Sequence, residues 1–248
     1  MEKVNIPSVQ YRQYPNSFLS KVALYLTFNS EESKEAFRDN LQKFLSANFD
    51  LNMQADEDFE AVRVTNESKT VEFFFSLNFA AVEFSGDNYK NYTDTQLPQL
   101  SRLIDYVKKV VHVSEISVIS VRKLNTWDFK SKDEKTPSLD KVRNKIFSQD
   151  LISVLSGQNL TDDERKIRNF EKFSFDKDDF KITVRSAYIQ NSKEKEYTRL
   201  ILDTECLLAV ERASLDELSS LCKMMNKQLY DIYHWCVTNE VINMMNQQ

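Results

Sequence analysis

The chain has 248 residues, 41% apolar and 29% charged, with a formal net charge of −5. That length buries roughly 70% or more of the unfolded surface, and the composition is that of a globular protein, so disorder is excluded. The acidic balance argues against a general nucleic-acid binder. Only two glycines, Gly86 and Gly157, stand where average usage predicts about 17, which argues against phosphate-cradling loops, nucleophile elbows and dinucleotide fingerprints.

Met1 to Gln10 lacks the apolar core of a signal peptide, and a loop follows, marked by Pro7 and Pro15. Val22, Leu24, Leu26 and Phe28 then alternate with smaller or polar residues, the period of a strand. Asn29 or Ser30 is expected to cap a helix whose apolar face is Phe37, Leu41, Phe44 and Leu45. A short strand is expected over 49–53, and Asp56, Glu57, Asp58 and Glu60 read as a solvated acidic connection. Strand-like runs follow at 59–65, 71–77 and 79–84. In the middle run Val71, Phe73, Phe75 and Leu77 share one face while Phe74 points the other way, which places it at the sheet centre with both faces covered.

From Asn91 onward the period becomes helical, with Leu97, Leu100, Leu103, Ile104, Val107 and Val111 on one stripe and Pro98 confined to the first turn. Residues 115–124 are a Val- and Ile-rich strand leading into Asn125 and Trp127. Dense mixed charge and Pro137 make 130–145 the expected linker or mobile excursion. A helix over 138–154 is expected to end near Gly157. Phe180, Ile182 and Val184 begin another strand, 191–196 makes a polar hairpin, and 200–210 runs back. The last element is a long amphipathic helix from Ser214 to Val237. Leu218, Leu221, Cys222, Met225, Leu229, Ile232 and Cys236 line one of its faces, and Ser214 with Glu217 forms a capping box at its start.

The expected fold class is therefore α+β: a mainly antiparallel sheet with long amphipathic helices, arranged as two strand-strand-helix halves. The halves are drawn at 1–129 and 138–248, with 130–137 as a charged linker. Cys206, Cys222 and Cys236 are odd in number, and the last two lie about 21 Å apart along one helix, so they cannot bridge each other. Free thiols and the absence of any run near ~18 apolar residues point to a cytoplasmic protein that does not span a membrane.

Several short motifs resemble an uncharacterised, patchily distributed family of bacterial proteins of about this length. They are Arg122-Lys123-Leu124-Asn125 after a strand, Leu202-Asp203 on another, and Trp235-Cys236-Val237-Thr238 near the end of the last helix. Val22 to Phe28 and Tyr89 to Tyr92 fit more loosely, and Lys123 stands where the family has an aromatic residue. The resemblance implies no reaction, cofactor or catalytic residue. It does imply an accessory role, in a mobile element, in defence or in toxin neutralisation.

Searched for chemistry, the chain offers only His112 and His234 as histidine bases. His112 near a helix end reads as a cap. His234 and Cys236 face different ways on one helix and form no dyad. No zinc spacing occurs, so no metal, cofactor or catalytic residue is expected. Asp203 and Glu205 share a strand face, either as an acid/base pair or as members of salt bridges. Trp235 with Tyr230 and Tyr233 makes either a ligand platform or a core edge. Lys130, Lys132, Lys135, Lys141, Arg143 and Lys145 are interrupted by acids and read as a solvated stretch.

The candidate binding residues are thus Arg122, Asn125, Asp203, His234 and Trp235, with a structural role favoured. Arg122, in step with Ile116 and Val118, is expected to bury its guanidinium and to need a carboxylate. Asp203 is the expected partner, with Asn125 taking the remaining donors, and the three would lock the halves together. The functional expectation is a non-enzymatic cytoplasmic protein-interaction module with a protein partner or a second copy of itself. The alternative is a small-ligand-binding protein or enzyme with a site between the halves.

Overall fold

The structure, a computed structural model, describes residues 4–49, 52–55, 61–66, 68–130, 139–156, 170–190 and 197–247. Its strands are β1 (Leu19–Thr27), β2 (Asn52–Ala55), β3 (Ala61–Thr65), β4 (Val71–Ser76), β5 (Phe79–Ser85), β6 (Glu115–Lys130), β7 (Phe170–Lys177), β8 (Phe180–Gln190) and β9 (Tyr197–Ser214). Its helices are α1 (Lys34–Asn48), α2 (Leu97–Lys109), α3 (Leu139–Ile146), α4 (Gln149–Ser156), α5 (Leu218–Cys236) and α6 (Asn239–Asn246). The strands form one antiparallel sheet in the order β2-β3-β4-β5-β1-β6-β9-β8-β7, so the α+β class holds. None of the described helices is long and apolar enough to cross a membrane.

Contacts divide the chain into two compact units, each built from separated segments. Lys21–Arg122 with Leu207–Asn226 make an inner unit; Met1–Ser20, Lys123–Cys206 and Lys227–Gln248 make a terminal unit. The boundaries fall inside β1, β6, β9 and α5, so these elements begin in one unit and end in the other. The acidic connection at 56–60, the charged linker at 130–137 and the hairpin at 191–196 lie outside the described residues, apart from Lys130 at the end of β6.

In the inner unit the predicted stripe of α1 is buried as read: Phe37, Leu41, Phe44 and Leu45. Its cap is Ser33, whose hydroxyl accepts from the Ala36 N–H, and not Asn29 or Ser30. Ser30 is spent elsewhere, donating to the Val111 carbonyl at 3.2 Å. The core is an aromatic stack in which the Phe75 ring lies 4.5 Å from Tyr106, 5.7 Å from Phe73 and 5.9 Å from Phe44. Tyr106, absent from the predicted stripe of α2, is fully buried because its hydroxyl donates to the Ser76 carbonyl at 2.7 Å.

β4 stands third from one end of the sheet order, not at its centre. Phe74, on the opposite face from Phe73 and Phe75, is half-buried beneath the Arg63 guanidinium, 5.7 Å from its ring centroid. That face is partly open rather than covered. Left-handed backbone, which glycine would favour, is carried by Lys69 at φ 53°, His112 at 52° and Asp178 at 53°.

In the terminal unit, β7 and β8 form a hairpin with Phe173 opposite Val184; β7 was not predicted. The helix expected over 138–154 is two helices, broken where Phe147 bridges Val237. The expected last helix forms as one uninterrupted helix that ends one residue before the expected Val237, and a short further helix that was not expected follows it. α5 starts at Leu218, three residues after the Leu215 that follows β9, and stops at Cys236. Thr238 then caps α6, its hydroxyl accepting from the Val241 N–H. The predicted capping box forms in part: the Ser214 N–H donates to Glu217 Oε2 at 3.4 Å, and the Ser214 hydroxyl accepts from Asp216 rather than Glu217.

Candidate functional site

Two places in the structure gather polar chemistry, one in each unit. In the terminal unit the loop between Pro7 and Pro15 lies along the second half of α5. Asp231, only 3% exposed, accepts from the Val9 N–H at 2.9 Å and from Lys227 Nζ at 2.5 Å, while Lys227 also reaches the Ser8 hydroxyl at 3.0 Å. The Arg12 N–H donates to the Tyr230 hydroxyl at 3.1 Å, and the Tyr11 and Tyr230 rings meet at 4.9 Å. Tyr14 and His234 are joined oxygen to Nε2 at 2.6 Å, and Arg12 Nε donates to the same Tyr14 oxygen at 2.9 Å.

Hydrogen-bond direction fixes the state of the His234 ring. Its Nδ1 is 2.8 Å from the Tyr230 carbonyl oxygen, which can only accept, so Nδ1 carries the proton. In the neutral ring Nε2 is then the acceptor for the Tyr14 hydroxyl. Burial lowers the imidazole's proton affinity below its ordinary range, against the opposing pull of the Tyr230 carbonyl. Burial likewise pushes the Tyr230 phenol up to about 12, with the Arg12 backbone opposing. The network therefore runs Arg12 to Tyr14 to His234 to the α5 backbone, with a neutral ring at physiological pH.

Trp235 turns away from this network. It is 8% exposed, sits edge-on to Phe173 at 6.0 Å, and its carbonyl accepts from the Ser148 hydroxyl at 2.6 Å. The structure thus brings His234 together with Tyr230 and Tyr14 but puts Trp235 in the core.

In the inner unit a cleft of about 620 Å³ opens at the end of α2, lined by Asn29, Glu31, Glu32, His112, Ser114 and Glu115 among others. A second of about 350 Å³ shares His112, Val113 and Ser114 and adds Lys108 and Asp216, which pair at 3.3 Å. His112 reaches φ 52°, and Val113 N–H then returns to the Val107 carbonyl at 3.2 Å, which ends the helix. The backbone of His112 closes α2 while its exposed ring faces the cleft, 3.5 Å from Asn40 Nδ2.

The remaining predicted residues are Arg122, Asp203 and Asn125. Arg122, half-buried in the inner unit, acts on Tyr25 and Glu83. Glu83 faces Glu72 across the β4–β5 ladder, and these like charges are offset by Lys21 at 2.6 Å from Glu83 and by Arg63 on Glu72. Burial works to raise the Glu83 carboxyl, but the hydrogen bonds from Lys21 and Tyr25 and the field of Arg122 hold it below the usual carboxylate range. Burial raises the Tyr25 phenol, helped by its hydrogen bond to Glu83.

Asp203, in the terminal unit and 5% exposed, accepts from Arg185 Nη1 at 3.3 Å, and Arg185 Nη2 holds Glu205 at 2.5 Å. The two carboxylates are joined by one guanidinium, the salt-bridged alternative of the two readings. Asn125 is buried on β6, and burial of the neighbouring Lys123 pushes its ammonium down to about 8.

Arg185 was missed because nothing local marks which strand lies beside β9. Arg12 and Tyr14 were missed because a proline-bounded loop shows no period, although its run of Tyr11, Arg12 and Tyr14 was a usable signal. Among the described residues, no three His, Cys, Asp or Glu side chains gather so as to hold a metal ion. The three cysteines are buried and free, and burial raises the thiols of Cys206 and Cys236. No family model and no curated protein matches this sequence.

Proposed function

We propose that the chain is a non-enzymatic interaction module that takes a lysine- or arginine-bearing segment of a partner protein into the cleft beside His112. The lining of that cleft carries the reading. Its volume of about 620 Å³ is that of a site for a small molecule or a few peptide side chains, and Glu31, Glu32 and Glu115 give it one sign of charge. Among the described residues Glu31 and Glu32 have no ion-pair partner, so their carboxylates are available to steer and hold a cation. The cytoplasmic setting, the division into two strand-strand-helix halves and an accessory role in a mobile-element, defence or toxin-neutralising system belong to the same proposal and rest on the sequence.

Titration calorimetry with a short lysine- and arginine-rich peptide, beside an acidic peptide of equal length, tests it. The basic peptide binds, binds more weakly as salt rises, and loses its binding in the Glu31→Lys, Glu32→Lys double variant. Equal heats for both peptides, or unchanged binding by the variant, would overturn it. A cationic small molecule in the same cleft is the second reading, favoured by the volume, and mass spectrometry of ligand released from freshly purified protein separates the two.

A further inference from the structure

We propose that residues 8–16 form a strap that leaves α5 when His234 takes up a second proton. The geometry around the ring is what makes it a switch. Nδ1–H is already committed to the Tyr230 carbonyl at 2.8 Å, so an added proton has only Nε2 to occupy. Nε2 is at present the acceptor for Tyr14, at 2.6 Å. Protonation turns that acceptor into a donor aimed at an oxygen that already receives Arg12 Nε–H at 2.9 Å, and the Tyr14 proton is displaced from the ring that accepted it.

Charge acts in the same direction. The groups facing the ring are Arg12 and Tyr14 on the strap, and Lys227, Tyr230, Asp231 and Tyr233 on α5. Asp231 is the one anion among them, and it is already held by Lys227 at 2.5 and 2.6 Å and by the Val9 N–H. An imidazolium would therefore sit beside the Arg12 guanidinium in a half-buried place without a carboxylate of its own. Burial, together with Arg12 and Lys227, already keeps the ring neutral to lower pH than a free histidine. Release would free the Tyr230 and His234 side of α5, which Tyr11 and Tyr14 now cover at ring distances of 4.9 and 5.7 Å.

The test places a fluorophore on Gln10→Cys, an exposed strap position, with the three native cysteines buried against labelling. Anisotropy is followed from about pH 8 to about pH 5, with circular dichroism confirming that the chain stays folded. In the otherwise native chain the anisotropy falls in one step with a midpoint below about 6.5. His234→Gln removes the step, and Tyr14→Phe gives low anisotropy already at the alkaline end. A flat profile, a step that survives His234→Gln, or a Tyr14→Phe strap that behaves as the native one would overturn the proposal.

Discussion

The inner and terminal units are held together by different chemistry. Around Phe75 the inner unit packs Phe44, Phe49, Phe73 and Tyr106 with each ring centroid no more than 6.0 Å from that of Phe75, and the one hydroxyl among these side chains is satisfied by a backbone carbonyl. Around His234 the terminal unit has rings too, but each is tied by a directional polar bond: Tyr14 to the imidazole, Tyr230 to the Arg12 N–H, Asp231 to Val9 and Lys227. Apolar burial responds to lost volume and is indifferent to protons. A directional network responds to the loss of a single partner and to pH. One molecule thus contains a region tuned only by packing and another tuned by chemistry.

The largest test of that contrast is Phe75→Ala, because Phe75 is fully buried and touches four rings. Denaturant unfolding is expected to show a loss of about 3 to 5 kcal/mol. The loss should be the same at neutral and mildly acidic pH. A pH-dependent loss would break the contrast from the apolar side.

Asp231→Ala comes next, at about 2 kcal/mol, since it strands the Val9 N–H and removes the carboxylate holding Lys227. Lys227 is 40% exposed and can rehydrate, which keeps the cost below that of a fully buried pair. Amide exchange should place the added opening in the strap and α5, with β4 and β5 unchanged.

Lys69→Gly in the inner unit and Asp178→Gly in the terminal unit should each stabilise by about 1 kcal/mol, because each relieves a left-handed residue bearing a Cβ. Equal gains are expected, since this strain is local to a hairpin turn and blind to the packing around it. Thermal midpoints of the two variants check this, and a gain in only one would show that the turn is coupled to its unit.

The smallest expected effect is the pH dependence from His234. Its folded proton affinity is below the unfolded value of about 6.5, so the unfolded chain binds more protons on acidification. The stabilisation is present above about 6.5 and lost as pH falls through the lower folded value. The difference between native and His234→Gln unfolding midpoints, followed from neutral to acidic pH, isolates it.

Much of the secondary structure was legible because periodicity is a property of neighbouring residues. Val22, Leu24, Leu26 and Phe28 alternate and are buried, and Phe37, Leu41, Phe44 and Leu45 recur at helical spacing and are buried. β7 escaped notice because it carries Lys172, Ser174 and Asp176 between its aromatic residues, and its charged flanks blurred the strand pattern. The end of the long helix was legible because its apolar spacing runs out at Cys236 and Val237, but α6 was not, since Thr238 is a cap only once the chain has turned. The scarcity of glycine was legible too, but not that Lys69, His112 and Asp178 would take its conformational place.

The candidate sites were legible only as residue types. His234 was marked by being one of two histidines, while its partner Tyr14 stands 220 residues away and Val9 stands 222 residues from Asp231. Asp203 was recognised as an anion needing a cation, but not that Arg185 would supply one, because that contact depends on the β8–β9 adjacency. The chain by itself determined which faces are apolar, since that follows from spacing along a strand or helix. Tertiary structure alone decided which polar groups meet, because a hydrogen bond needs both atoms within about 3 Å and only the closing of long loops brings them there.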